Sequence, residues 1–218
     1  MSTQASSARD VERGIEGAAL IVVGVMWLVV AGMIAIVIRM QVPSPAELLR
    51  DVAGQRALWI ASNVVLIAQQ AALATGATRL AKSAGPTTPV VRGLLGIAGG
   101  ALVASGVVHG VFGAHLASKV TPAPLGETLV LDAELSHAIA DTFWFVGVGA
   151  LVATTTLVTL TRGRSDRLLA WVGAGAVVFN LLQFGWFFDH FFGVFAGPGT
   201  LLQAAWFAMV GLAVMRGD

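Results

Sequence analysis

The chain has 218 residues, 56% hydrophobic and 11% charged. Soluble domains carry about 25% charged residues, so a water-exposed globule is excluded and the composition is that of an integral membrane protein. A formal net charge of +1 with no basic tract gives nucleic acid nothing to bind, and the lack of Cys and Tyr removes disulfides, thiolate metal sites, iron–sulfur clusters and phenol acid–base chemistry.

A hydrocarbon core of ~30 Å takes about 20 apolar residues per helix. Six stretches qualify: 17–39, 57–80, 94–117, 134–160, 168–192 and 200–215. The expectation is one polytopic, all-α membrane domain over 1–218, a six-helix bundle of uninterrupted spans. The run behind the polar N-terminus is too long for a secretory signal and lacks a small-residue cleavage site, so it reads as the first span.

Between the first two spans, "PSPAELLRDV" carries Ser44 as a cap, Pro45 at the first helical position and Glu47 at the third. That predicts a short amphipathic surface helix near 45–53. In the third span Gly106 and Gly110 have the small-xxx-small spacing that lets membrane helices approach closely. The loop at 119–132 holds Pro122 and Pro124, reads as non-helical, and is expected to fold over the mouth of the bundle.

Connections containing the N-terminus, the second and fourth loops and the C-terminus collect nine of the thirteen Lys and Arg residues. The positive-inside rule then puts both termini in the cytoplasm of a multi-pass plasma-membrane protein. Neither Lys82 nor Lys119 lies deep in an apolar run, which argues against a Schiff base on a membrane lysine.

Polar residues concentrate toward the outer ends of the spans. His109 sits just outward of the middle of the third span, and His115 near its end reads as interfacial. In "ELSHAIAD", Glu134, His137 and Asp141 follow i, i+3, i+7 spacing and share a helix face that Trp144 extends. Glu-x-x-His is half of a di-iron signature, but the chain has no second copy, and Glu134 reads as a helix cap. Asn63 and Gln70 lie on one stripe of the second span with Trp59. Asn180, Gln183, Phe187 and His190 cover about 80° of the fifth at 100° per residue, with Trp186 beside them and Asp189 turned away. Intramembrane ionisable groups default to functional roles.

Three functions fit this cluster. The first is an embedded enzyme acting on an apolar, isoprenoid- or lipid-like small molecule by acid–base chemistry. There Asp141, His109 and His137 are catalytic, and Asn63, Gln70, Trp144, Asn180, Gln183, Trp186, Phe187 and His190 bind substrate. The second is a redox protein binding a divalent metal or haem through His109, His137, Asp141 and His190. The third is a small-molecule or ion transporter, disfavoured by dry inner halves and unbroken helices. The cofactor is thus a metal, haem or none, and the expected partners are the bilayer, an apolar small molecule and a second copy of the chain in a homo-oligomer.

Overall fold

The computed structural model describes residues 2–38, 44–121, 123–163, 165–187 and 196–217, with side chains for 10–37, 44–121, 123–163, 165–185 and 196–217. Among these residues every regular element is helical. The helices are α1 (Ser2–Ile38), α2 (Pro45–Gly54), α3 (Arg56–Lys82), α4 (Thr88–Val107), α5 (Glu127–Arg162), α6 (Arg167–Gln183) and α7 (Ala196–Arg216). α4 continues through a π-helical turn, Val108–Gly113, into a last α turn, Ala114–Ala117.

Five helices are long and apolar enough to cross a membrane: those within Asp10–Val37, Arg56–Lys82, Gly85–Ala117, Glu127–Arg162 and Ala196–Arg216. α6 is apolar but has 17 residues. Instead of running on to 192, it tightens into a 3₁₀ turn at Phe184–Phe187. Large apolar side chains point outward on many helices, including Leu160 at 68% and Trp171 at 77% exposure. Such a surface would aggregate in water and is compatible with helices that face lipid.

The long helices form a closed ring in which each packs on its sequence neighbour and α7 returns to α1. Glycines let the backbones touch. A methyl group added at Gly24 of α1 would lie 2.6 Å from the carbonyl oxygen of Ala204 in α7. One added at Gly211 would lie equally close to the Gly17 carbonyl. These pairs run in opposite senses, so α1 and α7 are antiparallel. Large rings fill the middle: Trp206 and Phe207 are fully buried, and Trp27 stacks on Trp144 with centroids 5.6 Å apart.

Three expectations are corrected. The third loop is shorter than 119–132, because the chain turns helical right after the extended Gly126 and α5 starts at Glu127. Glu134 is therefore no cap but an exposed residue two turns inside α5, whose N-cap is Gly126. The third span is not uninterrupted, since the π turn widens it around His109. By contrast, α2 forms as its sequence dictates. The Ser44 hydroxyl accepts from the Glu47 amide, and the Glu47 carboxylate accepts from the Ser44 amide at 2.8 Å, a complete capping box. The Glu47 carboxyl is held below the usual carboxylate range, first by that Ser44 backbone N–H and then by its hydroxyl.

α2 buries Leu49 and Val52 against Val37, Trp59, Leu116 and Ala117, a small apolar cluster distinct from the main core. It lies across one end of the bundle, where α3 and α5 begin and α4 ends.

Candidate functional site

Beneath α2, α4 meets α3 along three glycines. Methyl groups added at Gly106, Gly110 and Gly113 would stand 3.0 Å from Ile67, 3.0 Å from Asn63 and 3.2 Å from the Trp59 indole nitrogen, respectively. The partners Trp59, Asn63 and Ile67 are spaced by four, one stripe of α3. The glycines thus admit a neighbouring helix, not a flat ligand.

The π turn sits on this seam. An inserted residue changes the helical phase locally, and such turns recur at functional sites. Here the Trp59 Nε1–H donates to the His109 carbonyl oxygen at 2.8 Å. The Trp59 ring also stands edge-on to the His109 ring, 5.5 Å between centroids and 70° between planes. One side chain therefore fixes both the backbone and the ring of His109.

So held, His109 points at α5. Its Nε2 shares a hydrogen bond with His137 Nδ1 at 3.1 Å and lies 3.7 Å from Asp141 Oδ1. The other ring nitrogen of His137, Nε2, stands 3.2 Å from Asp141 Oδ2. His137 and Asp141 come together because i and i+4 share a helix face, and the ring of helices brings His109 to them from α4. The His109 side chain is 17% exposed, against 39% for His137 and 34% for Asp141. One ligand atom from each of the three falls within 4.8 Å of the others.

A cleft with about 40 Å³ of solvent-accessible space opens beside the two histidines of the triad, His109 and His137, and Trp59, under Leu48, Leu49 and Val52 of α2. A water needs about 10–15 Å³ by this measure. The cleft as it stands takes a few water-sized ligands, well short of an isoprenoid.

The other residues singled out from sequence go elsewhere. Asn63 and Gln70 donate to their own helix, at Trp59 O and Leu66 O. Trp144 turns inward onto Trp27. Asn180 belongs to a second buried polar group. Its Nδ2 donates to Ala176 O at 2.8 Å and approaches Gln203 Oε1 at 3.5 Å, while Gln203 Nε2 donates to Thr155 Oγ1 at 3.0 Å. Thr155 is fourteen residues beyond Asp141 on α5, ~21 Å at 1.5 Å per residue, so this group is separate interhelical glue. Gln183 ends α6, and the exposed His115 follows the π turn. His190 and Asp189 lie outside the described residues, as do the side chains of Trp186 and Phe187.

Sequence reasoning missed Trp59 as the anchor of His109, although it had placed Trp59 on the stripe with Asn63. It also missed α2 as the roof. The apolar positions Leu48, Leu49 and Val52 predict an amphipathic helix, but not what lies beneath it.

No family model, curated protein or solved structure matches this chain. The site is read from its own chemistry.

Proposed function

We propose that the protein is a membrane metalloenzyme holding one divalent ion, zinc or ferrous iron, on His109, His137 and Asp141. The observation that carries this reading is the convergence of two imidazoles and a carboxylate, from two helices, within 4.8 Å. Two His and one carboxylate with open positions form the donor set of catalytic zinc and non-haem iron sites. Tetrahedral ligands with bonds of about 2.1 Å stand about 3.4 Å apart. Small rotations of the half-exposed His137 and Asp141 side chains bring the set to that spacing.

His109 and His137 both line the cleft, from which water or another small oxygen ligand would reach the set. A bound metal would supply Lewis-acid or redox chemistry to such a ligand. The second reactant is an apolar small molecule arriving from lipid, since the sequence neighbours Val111, Phe112, Leu135 and Ile139 all face outward and are 43–62% exposed. Direct contact between the His109 and His137 rings leaves no gap for a porphyrin, so haem is not part of the proposal.

A metal-free reading rests on the same atoms. The chain Asp141–His137–His109, with steps of 3.2 and 3.1 Å, suits acid–base relay on an apolar substrate. Metal analysis of the purified protein separates the two. We expect near-stoichiometric metal in the wild type and loss of it in His109→Ala and Asp141→Ala. A protein that stays metal-free after incubation with zinc, ferrous iron and manganese, each tested under anaerobic conditions, leaves the acid–base relay in its place.

We also infer that six helices cross the plasma membrane with both termini cytoplasmic and the cleft outside. α6 rises ~25 Å and its 3₁₀ extension adds ~8 Å, which suffices for a core of ~30 Å. Nine of the thirteen basic residues fall in the N-terminal, second, fourth and C-terminal segments, which this orientation puts inside.

A further inference from the structure

Most buried hydroxyls of the bundle are paired. Thr155 Oγ1 accepts from Gln203 Nε2 at 3.0 Å, and Thr159 Oγ1 from Trp206 Nε1 at 3.1 Å. Ser105 of α4 and Thr154 of α5 are fully buried, yet their hydroxyls have no hydrogen-bond partner among the described residues. A helical hydroxyl can turn to the carbonyl four residues back, as Thr142 and Thr156 do at 2.8 Å. Ser105 does not, and an unpaired buried polar group is costly.

The surroundings of Ser105 supply a partner. It stands four residues before His109, one turn back on α4, and residues so spaced share a face. The π turn begins only at Val108, so most of the stretch between them is α. Helical side chains lean toward the N-terminus, which carries the His109 ring back over the turn of Ser105. That ring has one nitrogen to spare. Its contacts with His137 and Asp141 both run through Nε2, and Nδ1 has no partner among the described residues.

The protons fit as well. The Asp141 carboxylate only accepts, so the Nε2–H of a neutral His137, 3.2 Å away, donates to it. His137 Nδ1 is then an acceptor, His109 Nε2–H donates to it, and His109 Nδ1 is left to accept. A serine O–H donates to that nitrogen. With a metal on Nε2 the roles reverse: Nδ1 carries the proton, and metal-bound histidines donate that N–H to an oxygen partner. A hydroxyl serves both states, since it donates and accepts.

We propose that Ser105 is a positioning residue of the centre, its hydroxyl bonded to His109 Nδ1 directly or across one water. It sets which ring nitrogen of His109 carries the proton, which Trp59 does not touch. Its use in ligation rests on the metal reading above, whereas the contact itself rests on the triad alone.

The test uses the full chain in detergent with ¹⁵N-labelled histidine, whose four side chains are few enough to assign by substitution. In the metal-free protein Ser105→Ala, which deletes one oxygen and keeps the core packed, shifts the His109 Nδ1 resonance. Thr154→Val removes the other unpaired hydroxyl, thirteen residues beyond Asp141 on α5 and ~20 Å along it, and leaves that resonance in place. Zinc titration reads the consequence: Ser105→Ala lowers affinity about 10-fold or more, as for outer-shell partners, and Thr154→Val does not. A resonance indifferent to Ser105→Ala, or shifted equally by both variants, overturns the proposal whether or not zinc binds. A specific shift with unchanged zinc affinity overturns the positioning role. A specific shift in a protein that binds no metal removes the metal reading and keeps Ser105 as the fourth member of the acid–base relay.

Discussion

His109 and His137 meet ring to ring, Nε2 to Nδ1 at 3.1 Å, although twenty-seven residues lie between them in the chain. Two local devices produce the meeting. A π turn anchored by Trp59 aims His109 from α4, and i, i+4 spacing aligns His137 with Asp141 on α5. A polar triad inside an apolar bundle is costly unless its members satisfy one another. These three do so and still leave a cleft on one side.

The donor set makes a direct prediction for metal. Removing one of three ligands from a site without a spare lowers affinity by about 100-fold or more, beyond the 10–100-fold typical of outer-shell changes. Titration calorimetry with zinc should show this for His137→Ala, while Asn180→Ala, in the other polar group, leaves affinity unchanged. Equal losses in both variants would mean that calorimetry reports folding and not ligation.

The glycine seams predict where a single methyl is intolerable. At Gly24 the new carbon would press on a backbone carbonyl 2.6 Å away, which no side-chain rotation relieves. Gly24→Ala should therefore destabilise by about 1–3 kcal/mol, the usual cost of overpacking. Gly100 has nothing within 4 Å of the added carbon, so Gly100→Ala should be neutral or gain up to about 1 kcal/mol from helix propensity. Denaturation in detergent, run side by side, ranks the two, and a stable Gly24→Ala would contradict the α1–α7 contact.

Much of this was legible in the sequence. Apolar run length located the five long helices, while the stretch taken as 168–192 is helical as α6 only to Gln183, and "SPAE" specified the α2 capping box down to its partners. The spacing of His137 and Asp141 placed them on one face. The rest depends on partners across helices, which periodicity cannot identify. Asn63, Gln70 and Asn180 share an end or a stripe with the histidines, yet each turns to its own helix or to Gln203, since buried amides take the nearest carbonyl. Nor does any local pattern distinguish a π turn from an α turn at "VHGVFG", because its glycines serve the α3 contact either way.

The α2 roof should respond to pH through its cap. The Glu47 carboxyl is lowered in the folded state, so its contribution is present above the unfolded pKa and is lost as pH falls through the folded value. Amide exchange in α2 should accelerate as pH drops below the ordinary carboxylate range, after correction for intrinsic rates. Glu47→Gln keeps the shape but removes the charge, and should abolish that pH dependence. If Glu47→Gln shows the same acceleration, another group governs the roof.

Topology is accessible because the chain lacks cysteine. Pro124→Cys, in the exposed stretch before α5, should react with a membrane-impermeant maleimide on intact cells. Ser165→Cys, exposed between α5 and α6, should react only after permeabilisation. The reverse pattern would put the cleft in the cytoplasm, contrary to the charge bias of the connections.

Trp59 provides the sharpest test of how the centre is held. Its indole N–H donates to the His109 carbonyl, while its ring packs edge-on to the imidazole and belongs to the cluster beneath α2. Trp59→Phe keeps an aromatic ring but removes the donor, leaving a part-buried carbonyl without that partner. The expected cost in stability is about 1–3 kcal/mol. Because the bond fixes the turn that aims His109, metal affinity should also fall, by about 10-fold, as for outer-shell changes generally. The two effects are separable: Leu49→Ala opens the same cluster without touching His109 and should lower Tm comparably while affinity holds. If Trp59→Phe and Leu49→Ala lose affinity in equal measure, Trp59 supports the fold alone and does not position the ligand.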